Sequence, residues 1–87
     1  MIKIVVVESG FVYVGEVHEE LDTLGRITIT NCWNIRTWGT TNGLGQLALA
    51  GPAVATKLDP CGVSRVPYGK IINFLDCEQV IWEKALR

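Results

Sequence analysis

Residues 26–38 read RITITNCWNIRTW. From Arg26 to Thr30 the alternation is strict: Ile27 and Ile29 point one way, Arg26, Thr28 and Thr30 the other. That period of two marks a strand with one buried face. The pattern can run on through Asn31 and Cys32 to Trp38. If it stays extended, Asn34, Arg36 and Trp38 share one face, and Trp33, Ile35 and Thr37 share the other.

Upstream, Ile2 to Val7 is β-branched and almost wholly apolar, as in a strand buried on both sides. Glu8, Ser9 and Gly10 form a turn. Phe11 to His18 is a second strand, with Gly15 at a bend or bulge. An acidic loop from Glu19 closes at Leu24 and Gly25 as a hairpin. Downstream, Gly39 to Gly45 (GTTNGLG) is a glycine-rich loop, and Gln46 to Ala50 makes one or two helical turns stopped by Gly51 and Pro52. Lys57 to Asp59 starts another strand. Asp59, Pro60, Cys61 and Gly62 have the composition of a tight turn, and Val63 to Val66 returns as its partner. Lys70 to Leu75 is the last strand. Asp76 to Arg87 reads as a helix with Asp76 as N-cap and Val80, Ile81, Lys84 and Ala85 at helical spacing.

The expected fold is a single domain over residues 1–87, mainly β. It is a small SH3-like or Sm-like barrel, or a strongly bent antiparallel sheet, with a short central helix and a C-terminal helix. Architecture of this kind does not carry function.

Hydrophobic residues make up 48% of the 87. A chain this short buries only about 60% of its unfolded surface when it folds alone, so further burial in a homo-oligomer is expected. Net charge is −1, and the scattered Lys and Arg residues offer no basic face for long nucleic acid. A small anion needs only a few of them. The opening MIKIVVVESG is too short for a signal-peptide core or a membrane span, so no membrane association and a cytosolic location are expected. Three cysteines without CxxC spacing suit reduced thiols.

No catalytic set is legible. His18 is the single histidine; there is no HExxH, zinc spacing or Walker loop, so neither enzyme, metal nor cofactor is expected. Asn31 to Gly45 is more informative. Asn34, Arg36 and Trp38 offer an amide, a guanidinium and an indole side by side, groups that read a base edge, fork onto phosphate and stack on a ring. The loop that follows adds donors from Thr40, Thr41, Asn42 and the Gly43 backbone, ahead of a helix N-terminus that favours an anion. Arg65, between Ser64 and Val66 on a short strand, is a second candidate at a barrel edge or subunit boundary. Each feature also has a plain structural reading: helix cap, turn glycine, core or interface tryptophan, surface charge.

Asn31 to Trp38, the Gly39–Gly45 loop, Leu47 to Pro52, and Leu58 to Gly62 together resemble small phage-encoded proteins that are similar to viral sponges. The resemblance spans roughly residues 26 to 76 and rests on overall pattern. Sponges bind the nucleotide signals of bacterial immunity without cleaving them. Anti-CBASS sponges take cyclic dinucleotides, and anti-Thoeris sponges take cyclic ADP-ribose variants. The resemblance implies immune evasion in the host cytoplasm by sequestering a cyclic nucleotide, with a cyclic dinucleotide favoured over a cyclic ADP-ribose isomer. It also implies pockets shared between subunits. A second class stays open: a protein–protein interaction module, either a phage inhibitor of a host protein or a small structural component, with Trp33 and Trp38 as interface hot spots.

Self-association is the first testable consequence. Light scattering at micromolar concentration should give a mass above that of one 9.6 kDa chain; a single-chain mass would remove the reason for a shared pocket.

Overall fold

The β-branched density read from the sequence forms strands throughout the computed structural model, which describes residues 1–87. The strands are β1 (Ile2–Val7), β2 (Val12–His18), β3 (Arg26–Thr37), β4 (Lys57–Pro67) and β5 (Ile71–Asp76). Helix α1 (Gly43–Ala50) lies between β3 and β4, a 3-10 turn over Tyr68–Lys70 joins β4 to β5, and α2 (Gln79–Ala85) follows β5. The strands form one antiparallel sheet in the order β4-β3-β2-β1-β5. β4 and β5 are its two edges and do not pair, so the sheet is not closed into a barrel. No helix is long and apolar enough to cross a membrane.

Apolar side chains fill both faces. On one face Ile2, Ile4, Val12, Val14 and Ile35 pack with Leu47 and Ala48 of α1 and with Trp82 and Leu86 of the α2 segment. On the other, Val5, Val7, Val17, Ile27, Ile29, Cys32 and Val66 form a second core. No helix residue belongs to that second core, yet Val5, Ile27 and Ile29 are wholly buried. A flat sheet would leave them in water, so the sheet curls around them. Main-chain bonds hold the curl: the Tyr68 N–H donates to the Gly25 carbonyl and the Glu8 N–H to the Lys70 carbonyl.

β3 contributes to both cores because it changes sides. Ile27, Ile29 and Cys32 face the concave core, whereas Trp33 and Ile35 face the helices. The change occurs at a bulge. Glu16 pairs with Thr30 and Val14 with Trp33, which leaves β3 one residue longer than β2 between those pairs. Asn31, at φ 46°, is the one non-glycine residue with positive φ, and Asn tolerates this region better than most residues. Gly15 lies opposite. A Cβ there would fall 2.7 Å from Ile29 Cγ2 and 2.9 Å from the Thr30 carbonyl oxygen, so no side chain fits. The Asn31 amide then ties the α2 segment to the bulge and braces β3 itself: Nδ2 donates to the Leu86 carbonyl at 2.9 Å, and Oδ1 accepts from the Trp33 indole at 3.1 Å.

Three expectations from sequence need correction. Asp59 to Gly62 is not a turn between two strands; β4 runs through it as one strand of eleven residues. The helix after Asp76 begins at Gln79, with Glu78 at the cap position and no side-chain cap. Its buried residue is Trp82, while Val80 and Ile81 are exposed. The Trp82 indole N–H donates to the carbonyls of Leu47 and Ala48, both at 3.1 Å. A fully buried indole needs a partner for that N–H, and the end of α1 supplies it.

The bulge separates two variants. Asn31→Gly removes both amide contacts but accepts the left-handed backbone, whereas Asn31→Val adds a β-branched side chain at positive φ. Urea unfolding should find Asn31→Val less stable than Asn31→Gly by about 1–2 kcal/mol; equal stabilities would mean that the bulge relaxes when its residue changes.

Candidate functional site

The concave face of β3 continues past Cys32 to Asn34 and Arg36. Asn34 pairs with Tyr13 on β2 and with Asp59 on β4, and directly paired residues share a face. Arg36 is the extra residue of another bulge, between the pairs Ile35–Leu58 and Thr37–Lys57. Its Nε donates to Asp59 Oδ2 at 2.9 Å. Its terminal nitrogens donate to no protein group, and 63% of its side chain is exposed. Phe11 lies just before β2, two residues from Tyr13. The Phe11 and Tyr13 rings lie 6.1 Å apart with planes within 10° of parallel. Phe11 is exposed and Tyr13 half-buried.

The result is an open corner with two parallel aromatic rings, an amide, a guanidinium and one carboxylate. Asp59 already occupies one edge of the Arg36 guanidinium, so an incoming anion would meet the remaining donors and some repulsion. An exposed ion pair of this kind contributes about 0–1 kcal/mol to stability, so it orients Arg36 more than it holds the fold. Lys57, exposed at the same end of β4, makes the local formal charge positive.

Trp38 does not join this row. β3 ends at Thr37, so the alternation stops one residue short of it. Gly39 turns the chain with φ 69°, and a Cβ there would collide with the backbone of Ala55 and Thr56. The Trp38 carbonyl accepts from Thr56 Oγ1 at 2.6 Å, and that hydroxyl in turn accepts from the Ala53 N–H. The Trp38 ring lies beside Gly43, 3.8 Å from where a Cβ would stand, and the residue is 44% exposed.

The loop donors are turned inward. Thr40 Oγ1 donates to the Gly43 carbonyl at 2.7 Å. Thr41 Oγ1 and the Asn42 N–H both donate to Gln46 Oε1, at 3.1 and 2.8 Å. The two hydroxyls and the Asn42 N–H are therefore engaged within the loop. Gly43, at φ 76°, starts α1. Arg65 pairs with Thr28, eight residues along β3 from Arg36, or about 25 Å. Thr28 faces away from the concave core, so Arg65 and Arg36 cannot reach one ligand within a chain.

Phe11 and Tyr13 escaped the sequence reading, because their placement needs the β2–β3 register as well as the alternation. The hairpin spacing carried that signal only once the Asn31 bulge was known. Two surface grooves lie elsewhere. One of about 330 Å³ follows the β5 edge along Tyr68, Ile71, Ile72, Asn73 and Phe74. Another of about 250 Å³ is bounded by Glu16, Asn31, Glu83 and Arg87, charges of both signs. No three His, Cys, Asp or Glu side chains converge as metal ligands. Burial pushes the Cys32 thiol up to about 11 and the Cys77 thiol to about 12, so neither is a thiolate at neutral pH.

No protein-family model matches the chain, and no curated protein matches it.

Proposed function

We propose that the protein sequesters a cyclic nucleotide immune signal without cleaving it, as a phage sponge acting in the host cytoplasm, with a cyclic dinucleotide the favoured ligand. The observation that supports this most is the Arg36 corner. An exposed guanidinium with free terminal donors stands on the same face as the Asn34 amide and two parallel rings. Phosphate takes the guanidinium fork, a base stacks on the rings, and the amide reads a base edge. Each chain offers an open corner rather than an enclosed cavity. Burying most of a nucleotide therefore requires a second copy across the corner, which fits the self-association expected from composition. Trp38 and the Thr40–Gly43 loop lie beyond the end of β3 and would contribute from the rim. Arg65 would reach the ligand only from a neighbouring subunit.

A second reading, a protein–protein interaction module, draws on a different surface. Leu49, Val54, Val80 and Ile81 are all exposed. They belong to the end of α1, the loop after it and the start of α2, which meet where the Glu78 N–H donates to the Ala48 carbonyl. Thermal shift against cyclic di- and trinucleotides and cyclic ADP-ribose isomers separates the readings, because a ligand that binds only the folded state raises the melting temperature. A chain that ignores every nucleotide is the interaction module.

For the nucleotide that gives the largest shift, Arg36→Ala should weaken binding by roughly ten- to a hundredfold, the equivalent of one charge-assisted bidentate contact. Titration calorimetry measures this, and the unfolding midpoint should hardly move. Arg36→Lys keeps the charge and loses the planar fork. Full affinity in Arg36→Lys would refute bidentate recognition, and parental affinity in Arg36→Ala would remove Arg36 from the site.

A further inference from the structure

Cys61 is the extra residue of the bulge on β4. Trp33 pairs with Pro60 and Cys32 with Gly62, so Cys61 has no partner of its own and sits with Gly62 against Cys32. Gly62, at φ 71°, presents no side chain to Cys32. The place opposite the Cys32 thiol is therefore left to Cys61. Cys61 is next in sequence to Gly62, the direct partner of Cys32, and a disulfide spans Cα separations of about 4.4–6.8 Å. The two thiols are neighbours in this arrangement: Cys61 and Ser64 both act on the Cys32 thiol, both thiols act on the nearby Tyr13 hydroxyl, and Cys61 Sγ donates to the Asp59 carbonyl at 3.6 Å. One thiol is exposed and the other buried. Cys77 lies in the helix-side core, on the other face of the sheet, and is out of reach of both.

We propose that Cys32 and Cys61 are a redox-active pair, which closes to an intrachain disulfide across β3 and β4 by exchange with a low-molecular-weight disulfide. The exposed Cys61 thiolate attacks one sulfur of the reagent. A Cys61–reagent bond forms, the reagent S–S bond breaks, and one reagent thiol leaves with a proton from water. Cys32 then loses its proton and attacks Cys61 Sγ, displacing the second reagent thiol. Two protein thiols are oxidised by two electrons, and one small disulfide is reduced to two thiols. Burial holds Cys32 protonated at neutral pH, so the exposed Cys61 reacts first and Cys32 resolves the mixed disulfide. The bond would staple the strands at the bulge, two residues from Asp59, and so set the position of the Arg36 partner. This proposal does not rest on the nucleotide reading.

The full chain, freshly reduced, would be incubated with oxidised glutathione at pH 8, quenched with acid, alkylated under denaturing conditions and digested with trypsin. The cross-linked product should join residues 27–36 to residues 58–65, leave Cys77 alkylated, and weigh two hydrogens less than the reduced pair. Cys61→Ser, an exposed substitution that leaves both cores intact, should abolish the cross-link and leave Cys32 unmodified. Cys77→Ala should still form it. A stable glutathione adduct on Cys61 with Cys32 free would overturn the proposal. A dimer linked through Cys61, or Cys32 modified as fast in Cys61→Ser as in the parent, would do the same.

Discussion

A single residue with positive φ, Asn31, decides how the sheet is used. Without an extra residue there, β3 would keep Ile27, Ile29, Trp33 and Ile35 on one face, and a single face would have to bury them all. With it, Ile27 and Ile29 enter the concave core, while Trp33 and Ile35 pass under the helices. The two Asn31 amide contacts are each worth only about 0.5–1.5 kcal/mol. Burying several large apolar side chains on each face outweighs them, since each contributes about 1.5–3 kcal/mol. Asn31 therefore matters through geometry: it sets which residues are available to which core. Gly15 makes that geometry possible by leaving room for the β3 backbone.

The helices depend on the same point. The Leu86 carbonyl, just past α2, accepts from Asn31, and Trp82 one turn earlier fills the helix-side core and donates to the end of α1. α1 is short and carries no acidic first turn or side-chain N-cap, so in isolation it would not persist. Leu47 and Ala48, buried against Trp82 and the sheet, keep it in place. Trp38 and the loop from Gly39 to Gly45 are fixed in turn, because they are strung between the end of β3 and this anchored helix.

Much of the fold was legible in the sequence where one physical signal acted alone. The almost wholly apolar run Ile2–Val7 and the alternation over residues 26–30 identified strands, and the second of these put Asn34 and Arg36 together. Asp59 to Gly62 was misread because the Pro and Gly that suit a turn also suit a bulge on an edge strand. Local composition cannot separate these; only pairing with Cys32 and Trp33 does. Trp82 was missed because Val80 and Ile81 satisfied a helical period equally well, and seven residues give too few turns to choose a face. Of the candidate site, the strand-borne pair came together, but Trp38 fell past the strand end, and Arg65 lies on β4 opposite the far end of β3. Thr41 and Asn42 donated inward because Gln46, five and four residues on, could accept from them, and Thr40 found the Gly43 carbonyl.

At the Arg36 corner, strands carry the guanidinium, the amide and the Tyr13 ring, with Phe11 immediately before β2, which favours a preorganised binding surface over one assembled from loops. Sequestration makes a demand that simple binding does not: the ligand must leave solution and return unchanged. The most direct measurement mixes the chain with a substoichiometric cyclic dinucleotide, quantifies free nucleotide by chromatography, then denatures the protein and quantifies it again. The account predicts that free nucleotide falls on mixing and returns intact and in full on denaturation. Linear or cleaved products would contradict it, as would a free concentration that mixing leaves unchanged for every cyclic dinucleotide and cyclic ADP-ribose isomer tried.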